Sequence, residues 1–539
     1  MKFLPKTNLL LVIIIIAGAF LRLYNLTAIS LWHDEAFSAL LIRYPFWEMM
    51  QRIALDVHPP FYYLILRLWD FVFGDSLFSL RLFSAFWGIL AVYFVYLFIK
   101  TAFKNERLAL VSAALIAINP FQIQYATEAR MYTLGVFLIV LSSYFLVKSL
   151  ESKSYRWWIL YGISAALAIH THYYLIFSVA AQAIFIALVV VKNYKSIPLG
   201  NQVSKYTWKP GFQVFTGAVV AYITAFLIFL PWLKIFLRQL SQVEQNYWIP
   251  KMTASSIPNT LWKMLAGSNI EVNNLTLAMV AIIFLLVFYA AVKRQQNNYK
   301  WLIVFSFIIP FALAIILSFK RSLYLDRYFV FAGLFYLIIF AVFIESIKNR
   351  ILKSVLIALF IAGSLFLFYE NWRIIGRENK PGTEGASAYI LKQNLPQDKL
   401  YIASSFVYFT YKYYAYQNYF YGAGYPADFS PGTLKTEDNI IEGYRIYPEY
   451  LTPLLYTPGV TKISQLPHFS GTALLNNSDL LNDFSRNVKP DDTIWVLWTT
   501  GFGGSKPEIP TNWKQIDEAG FEDVFGYRGW IVVTKYKVL

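Results

Sequence analysis

A polytopic α-helical membrane protein followed by a water-soluble α/β segment is the fold class this sequence predicts, and three observations predict it. The 539 residues are 57% hydrophobic and 19% aromatic with 14% charged, and the mean hydropathy is +0.47. Apolar runs of the length needed to cross a bilayer core, about 20 residues, recur up to about residue 369. Beyond that point the composition shifts: residues 370–539 mix Pro, Gly, Asn, Asp and Tyr without long apolar runs. The expected domains are therefore 1–369 and 370–539.

Reading the apolar runs as helices gives about eleven spans. They cover roughly 8–23, 82–99, 108–119, 131–147, 157–169, 174–191, 212–233, 276–292, 301–317, 328–344 and 353–369. The first ends in "LRLYNL" rather than a small-residue cleavage site, so it reads as a retained helix. The third ends at "INP", where Pro120 stops a helix. The stretch "PPFYYLILRLWDFVFG" (59–74) is apolar but carries Arg67 and Asp70, which reads as an interfacial helix along the membrane. In the C-terminal segment "TEGASAYILKQNL" (383–395) reads as a helix, and "KLYIASS", "DTIWVLWTT" and "RGWIVVTKYKV" read as strands. The loop "GFGGSKP" (501–507) lacks the spacing of a nucleotide-binding turn. There is no internal repeat.

Lys and Arg set the expected orientation. Lys2 and Lys6 precede the first span. Lys100, Lys104 and Arg107, then Lys148, Lys153 and Arg156, then Lys192, Lys195, Lys205 and Lys209, then Lys293, Arg294 and Lys300, then Lys348, Arg350 and Lys353 follow alternate spans. All fall on one side, which the positive-inside rule makes cytoplasmic. The expected location is the plasma (inner) membrane, with the N-terminus cytoplasmic and the C-terminal domain extracytoplasmic. The absence of cysteine excludes disulfides, thiolate catalysis and Cys-ligated metal. The net charge of +16 includes no basic block in a soluble segment, which argues against nucleic acid as a partner.

The outer side also carries ionisable residues, close to helix ends: Asp34, Glu35, Arg43, Arg52, Asp56, His58, Arg67 and Arg81; Glu128 and Arg130; His170 and His172; Lys234, Arg238 and Lys251; Lys320, Arg321, Asp326 and Arg327. Near a bilayer such groups are costly unless paired or facing water, and as a set they indicate a function. Each has an ordinary reading too. Arg43 and Arg52 fit snorkelling in an amphipathic segment. Asp34 fits a helix N-cap and Glu35 a first-turn acid. Glu128 with Arg130, and Asp326 with Arg327, fit structural ion pairs. His170 and His172, two apart, would not share a helix face. The Tyr-rich run 408–425 fits domain core better than a sugar-stacking surface.

Cations at an outer face suit a phosphate whose tail stays in lipid. If the donor is a sugar on polyprenyl phosphate, the leaving group departs as an anion and needs no general acid. One carboxylate then suffices to take the acceptor's proton, whereas glycoside hydrolysis uses two. The inventory fits a transferase. A lipid-linked sugar flippase or transporter is the competing class, but such proteins place charges near the bilayer midplane. A glycan-binding sensor is the third.

The ordered segments "LWHDEAFSA", "DVHPPFYYLILRLWDFVFGDSLFSLRLFSAFWG", "YATEARMYTLG", "HTHYY" and "DRYFVFAGLFYLI" together resemble bacterial glycosyltransferase family 39, relatives of the protein O-mannosyltransferases and aminoarabinose transferases. The resemblance covers roughly residues 8–370. It implies the GT-C fold, an inverting transfer from a β-linked polyprenyl-phosphate sugar, and a hydroxyl acceptor that is glycan, lipid or protein. It places the catalytic base at Asp34 with Glu35 beside it. It places His58, before the Pro-Pro pair, at the lipid phosphate, where aminoarabinose transferases carry Lys. Arg81, Arg130 and Arg327 match phosphate or cavity positions, and Glu128 is a second acidic residue that orients Arg130 or binds metal. The cofactor expectation is none, with a divalent metal on Asp34, Glu128 and His172 as the alternative.

Overall fold

The computed structural model describes residues 6–152, 154–195, 211–245, 249–375, 381–395, 397–421, 440–441, 444–445, 453–466, 471–523 and 529–539. Lys2, Lys153, Lys205 and Lys209 lie outside them. In chain order the helices are α1 (Lys6–Leu23), α2 (His33–Leu41), α3 (Phe46–Leu55), α4 (Phe61–Phe73), α5 (Leu77–Phe103), α6 (Glu106–Ile118), α7 (Pro120–Ala126), α8 (Tyr132–Glu151), α9 (Arg156–Thr171), α10 (Leu175–Lys195), α11 (Gly211–Phe229), α12 (Leu233–Gln245), α13 (Ser256–Ala266), α14 (Asn274–Arg294), α15 (Lys300–Ser318), α16 (Val330–Ser346), α17 (Arg350–Ile375), α18 (Gly382–Gln393) and α19 (Ser405–Tyr421). The chain divides into two compact units. One comprises residues 1–24, 81–238 and 248–371, and the other residues 25–80, 239–247 and 372–539. The first long loop, 25–80, thus belongs with the C-terminal segment.

All eleven expected spans fall on helices. Eight of the described helices are long and apolar enough to cross a membrane, and α6 with α7 makes a ninth if that bent pair is one span. Asn8–Leu23 is a shorter apolar helix, and α9 has 16 residues. The bend between α6 and α7 is 60°, and its cause is local. Asn119 ends α6, and Pro120 opens α7 at a position where its missing N–H costs nothing. The Asn119 side chain caps α7 by accepting from the Gln122 N–H at 3.0 Å and donates to the Met264 carbonyl at 2.9 Å.

The membrane-type unit is held together by small residues and by satisfied polar groups. A side chain on Gly162 would meet the Ala221 carbonyl at 2.3 Å, and one on Gly217 would meet the Trp158 ring at 2.2 Å. The backbones of α9 and α11 therefore approach as closely as small residues allow. Arg22 of α1 is 1% exposed. Its guanidinium donates to Ala117 O at 2.7 Å and Ile116 O at 3.2 Å. These are last-turn carbonyls of α6, which no longer have a helical partner. A further bond reaches Gly18 O at 3.0 Å within α1.

The second unit carries a six-stranded sheet built from β1 (Lys399–Ile402), β4 (Leu454–Tyr456), β5 (Leu480–Leu481), β6 (Thr493–Thr499), β7 (Trp513–Asp523) and β8 (Gly529–Val538), with a separate two-stranded pair, β2 (Ile440–Ile441) and β3 (Tyr444–Arg445). The sheet order is β5-β4-β1-β6-β8-β7. Strands β5, β4, β1 and β6 run parallel, and β8 runs antiparallel to both of its neighbours, β6 and β7. One core cluster gathers Tyr401, Leu481, Phe484, Ile494, Val496, Trp513, Tyr536 and Val538. The expected helix at 383–395 is α18, and the three expected strands are β1, β6 and β8. Of the Tyr-rich run, Tyr408, Tyr411 and Tyr413 are fully buried and Tyr414 nearly so, which makes them core. The side chains of that run from residue 416 onward lie outside the described residues.

Helix α4 buries Tyr62, Tyr63 and Leu66 and exposes Leu68, Phe71, Val72 and Phe73, the two-sided pattern of an interfacial helix. Arg43 and Arg52 do not snorkel. Arg43 pairs with Asp75 at 2.7 Å. Arg52 pairs with Glu48 at 2.7 Å, donates to Ala473 O at 2.9 Å, and lies over the Tyr44 ring at 3.9 Å. Acids of the same loop supply partners that end-of-helix position alone does not reveal.

Replacing Arg22 by Met strands two α6 carbonyls and is expected to cost on the order of 2–4 kcal/mol. The apparent melting temperature of the full chain in detergent should fall by several degrees, with Arg22→Lys between the two. An unchanged melting curve for Arg22→Met would contradict the role given to this bond set.

Candidate functional site

The first unit gathers Arg81, Glu128, Arg130, His172 and Arg327. Arg81, Glu128, Arg130 and His172 are at most 5% exposed, and Arg327 is half-buried. Ser84 of α5 donates to the Arg130 carbonyl at 3.3 Å. Arg81 lies one helical turn before Ser84, on the side of α5 that faces this turn. Arg130 N–H in turn donates to Glu128 O at 2.7 Å, closing the short non-helical segment between α7 and α8. Tyr125 lies within electrostatic reach of both Glu128 and Arg327.

His172 links this turn to the Arg327 segment. Its ring lies 6.2 Å from Tyr132, 5.0 Å from Tyr328 and 5.5 Å from Phe331. Its Nδ1 accepts the Tyr174 N–H at 3.2 Å. In the neutral ring the proton therefore sits on Nε2, which makes that nitrogen a donor rather than a ligand. His170 instead directs Nε2 to Ile228 O at 3.3 Å. Among the described residues no group of three or more His, Asp and Glu could hold a metal ion. The alternative expectation, a metal on Asp34, Glu128 and His172, therefore has no such group behind it among the described residues.

Asp326, the neighbour of Arg327, faces α13. Its carboxylate receives Lys263 Nζ at 2.5 Å and Thr260 Oγ1 at 2.5 Å, and Tyr324 OH donates to Thr260 Oγ1 at 2.9 Å. This network fixes the single 3₁₀ turn Asp326–Phe329 that presents Arg327. Lys263 sits in the long segment 234–275, in which only Lys234, Arg238 and Lys251 stood out in the sequence.

The second unit holds Asp34, Glu35 and His58. The N-cap of α2 is Trp32, so the cap falls two residues before Asp34. The capping carboxylate belongs to Glu35, fully buried, which accepts the Trp32 N–H at 3.3 Å. Asp34 is half-buried. The two adjacent acids thus point to different surroundings, as a helix's 100° step requires. His58 Nδ1 donates to the Asp56 carboxylate at 2.9 Å, and the His58 carbonyl accepts Gln239 Nε2 at 3.4 Å.

Three bonds from the C-terminal segment fix the residues just before Asp34. Ser30 Oγ donates to Asp523 at 3.2 Å. The Leu31 N–H donates to the Tyr414 hydroxyl at 2.6 Å. His33 Nδ1 donates to the Phe406 carbonyl at 3.3 Å, with its ring against Phe406 and Phe409. Tyr414 and Phe406 were not legible as site residues, since their signal is a spatial pairing across 383 and 373 positions.

This is the fold of the GT-C glycosyltransferases: a bundle of apolar helices plus an α/β sheet unit. The chain is similar to the crystal structure of ArnT from Cupriavidus metallidurans bound to undecaprenyl phosphate, with a TM-score of 0.59, 12% identity, and 98% of each chain covered. It is also similar to ArnT from the same organism in the apo state, with a TM-score of 0.57, 11% identity and 97% of each chain covered. The apo oligosaccharyltransferase of Archaeoglobus fulgidus matches at a TM-score of 0.48 and 15% identity over 75% of this chain, which spans 63% of that enzyme's length. Residues 57–202 match the dolichyl-phosphate-mannose-protein mannosyltransferase family. No curated protein matches the sequence. The resemblance read from the ordered motifs is upheld by these matches, which show a membrane-type helical fold of the GT-C kind.

Tyr414→Phe removes the acceptor of a buried N–H and is expected to cost about 1–3 kcal/mol, read as a lower melting temperature. Asp326→Ala should release α13 and weaken stability by about 1–2 kcal/mol. Lys263→Met should reproduce part of that loss. If Asp326→Ala with Lys263→Met is as destabilising as the sum of the two, the bridge carries no coupling.

Proposed function

We propose that the protein transfers a sugar from a polyprenyl-phosphate donor to a hydroxyl of a glycan, lipid or protein acceptor on the outer face of the plasma membrane. The observation that carries this reading is the gathering of Arg81, Arg130 and Arg327 about one buried turn system, in a fold shared with a protein crystallised with undecaprenyl phosphate. Guanidinium groups suit a phosphate monoester because they keep their charge and offer two parallel donors. His58, whose Nδ1 is held by Asp56, takes the lipid-phosphate position, where only its imidazolium form has a second N–H to give, and Glu128 orients Arg130.

Asp34 is the base. The acceptor oxygen attacks the anomeric carbon as its proton passes to the Asp34 carboxylate, and the bond from that carbon to the phosphate oxygen breaks. The electron pair leaves with the polyprenyl phosphate, whose growing charge the arginines stabilise. Attack opposite the leaving group inverts the anomeric centre. Glu35 supports the site by capping α2 rather than by touching the reacting atoms. Positive-inside bias puts the N-terminus in the cytoplasm and the C-terminal unit outside.

Asp34→Asn in the full-length protein should lower transfer by about 10²–10⁴-fold. Binding of undecaprenyl phosphate should stay within about threefold, since Asn keeps the shape of the side chain. Full transfer activity in this variant removes the base. Glu35→Gln should retain most activity and lose stability instead. The cysteine-free chain allows a clean test of orientation: Ser505→Cys should react with a membrane-impermeant maleimide on intact cells, and Asn297→Cys only after permeabilisation.

A further inference from the structure

The loop 501–504, Gly-Phe-Gly-Gly, has no part in the chemistry above, yet it is tightly built. Gly503 has φ +71°, and a side chain there would meet the Phe406 ring at 2.2 Å. A side chain on Gly504 would meet Thr499 Cγ2 at 2.2 Å. Only glycine satisfies either position. Ser404 Oγ donates to Gly503 O at 2.7 Å. Thr500 N–H donates to Trp530 O at 3.0 Å, and Trp530 N–H returns to Thr500 Oγ1 at 2.9 Å. The loop is pinned at both ends.

What this loop presents is one ring. Phe502 is 57% exposed and meets Phe406 edge to face at 5.1 Å. Phe406 is the residue whose carbonyl holds His33, next to Asp34. A single exposed aromatic is ordinary on a protein surface. This one differs because a rigid glycine frame fixes it and because the residue seating it also seats the proposed base. Trp530, 49% exposed, stands at the same end of the sheet through its bonds to Thr500.

We propose that Phe502 is the stacking platform for a pyranose ring of the acceptor, an inference that rests on the reading of Asp34 as the base. The negative face of an aromatic ring attracts the polarised C–H groups on the apolar side of a sugar. The flanking backbone is held by its own bonds, Gly504 N–H to Gly501 O at 3.2 Å and Gly501 N–H to Thr499 Oγ1 at 3.0 Å, which keeps the ring in one place. A short path from Phe502 through Phe406 and His33 to Asp34 places the acceptor's reacting hydroxyl and its base in one mechanical frame.

The test uses saturation-transfer NMR on the full chain in lipid nanodiscs, with methyl α-mannopyranoside, methyl β-galactopyranoside and methyl β-arabinopyranoside as probes. The wild type should transfer saturation to the ring C–H protons of at least one glycoside. Phe502→Ala should weaken that signal by about fivefold or more, Phe502→Leu should weaken it similarly, and Phe502→Trp should keep it. Asp34→Asn should keep it too, since stacking does not need the base. The platform is overturned if the wild type shows no transfer to any probe, if Phe502→Ala matches the wild type, or if Phe502→Leu retains the signal. An unchanged melting temperature for Phe502→Ala shows that the loss is not unfolding. Full transfer activity in Asp34→Asn would remove the base while leaving the binding result as measured, so the two failures are distinguishable.

Discussion

A buried backbone N–H must find a partner, and in the second unit the Leu31 N–H finds it in the hydroxyl of Tyr414. The conformation of the segment leading into α2 depends on that bond and on its two neighbours, Ser30 to Asp523 and His33 to Phe406. Together they set where α2 begins, hence that Trp32 is its cap and that Glu35 is the acid drawn inward. Asp34 is left half-buried by the same geometry. The C-terminal segment is therefore the bed of the candidate base rather than an appendage.

The rule that places Asp34 recurs in the membrane-type unit with other groups. Arg22 completes the carbonyls of α6 where the helix stops. Asn119 completes the start of α7 and reaches α13. Asp326 joins α13 to the turn that carries Arg327. In each case one side chain satisfies a broken helix end and ties a second element to it, so breaks in regular structure become junctions. Apart from Arg81 on α5, the candidate site residues of this unit lie at such breaks: between α7 and α8, after α9, and before α16.

The spans were legible because long apolar runs have few alternatives, and Pro120 marked its own helix end. The C-terminal helix and the strands β1, β6 and β8 were legible as short buried runs. Strand β7 was not, because "WKQIDEAGFED" lies at the edge of the sheet and alternates with charge instead of apolar residues. The short β4 and β5 offered too few residues to show a period. In the site, the motif order pointed to Asp34, Arg81, Arg130 and Arg327. The separate surroundings of Asp34 and Glu35 could not be read, since adjacency says nothing of which acid a distant tyrosine and phenylalanine will turn inward. The pairings of Arg43 with Asp75 and of Asp326 with Lys263 were hidden for the same reason: each spans tens of residues with no periodic trace.

The sequence separation of the bonds around Asp34 has a consequence for biogenesis. Leu31 and its partner Tyr414 are 383 positions apart, and Ser30 and Asp523 are 493 apart. At a synthesis rate of about 5–20 residues per second, roughly 20–80 s pass between the two members of the first pair leaving the ribosome. During that interval the first loop has no bed and its donors are served by water. The loop that carries the proposed base gains these bonds only after β7, which carries Asp523, has been made, so its final shape is set late in synthesis.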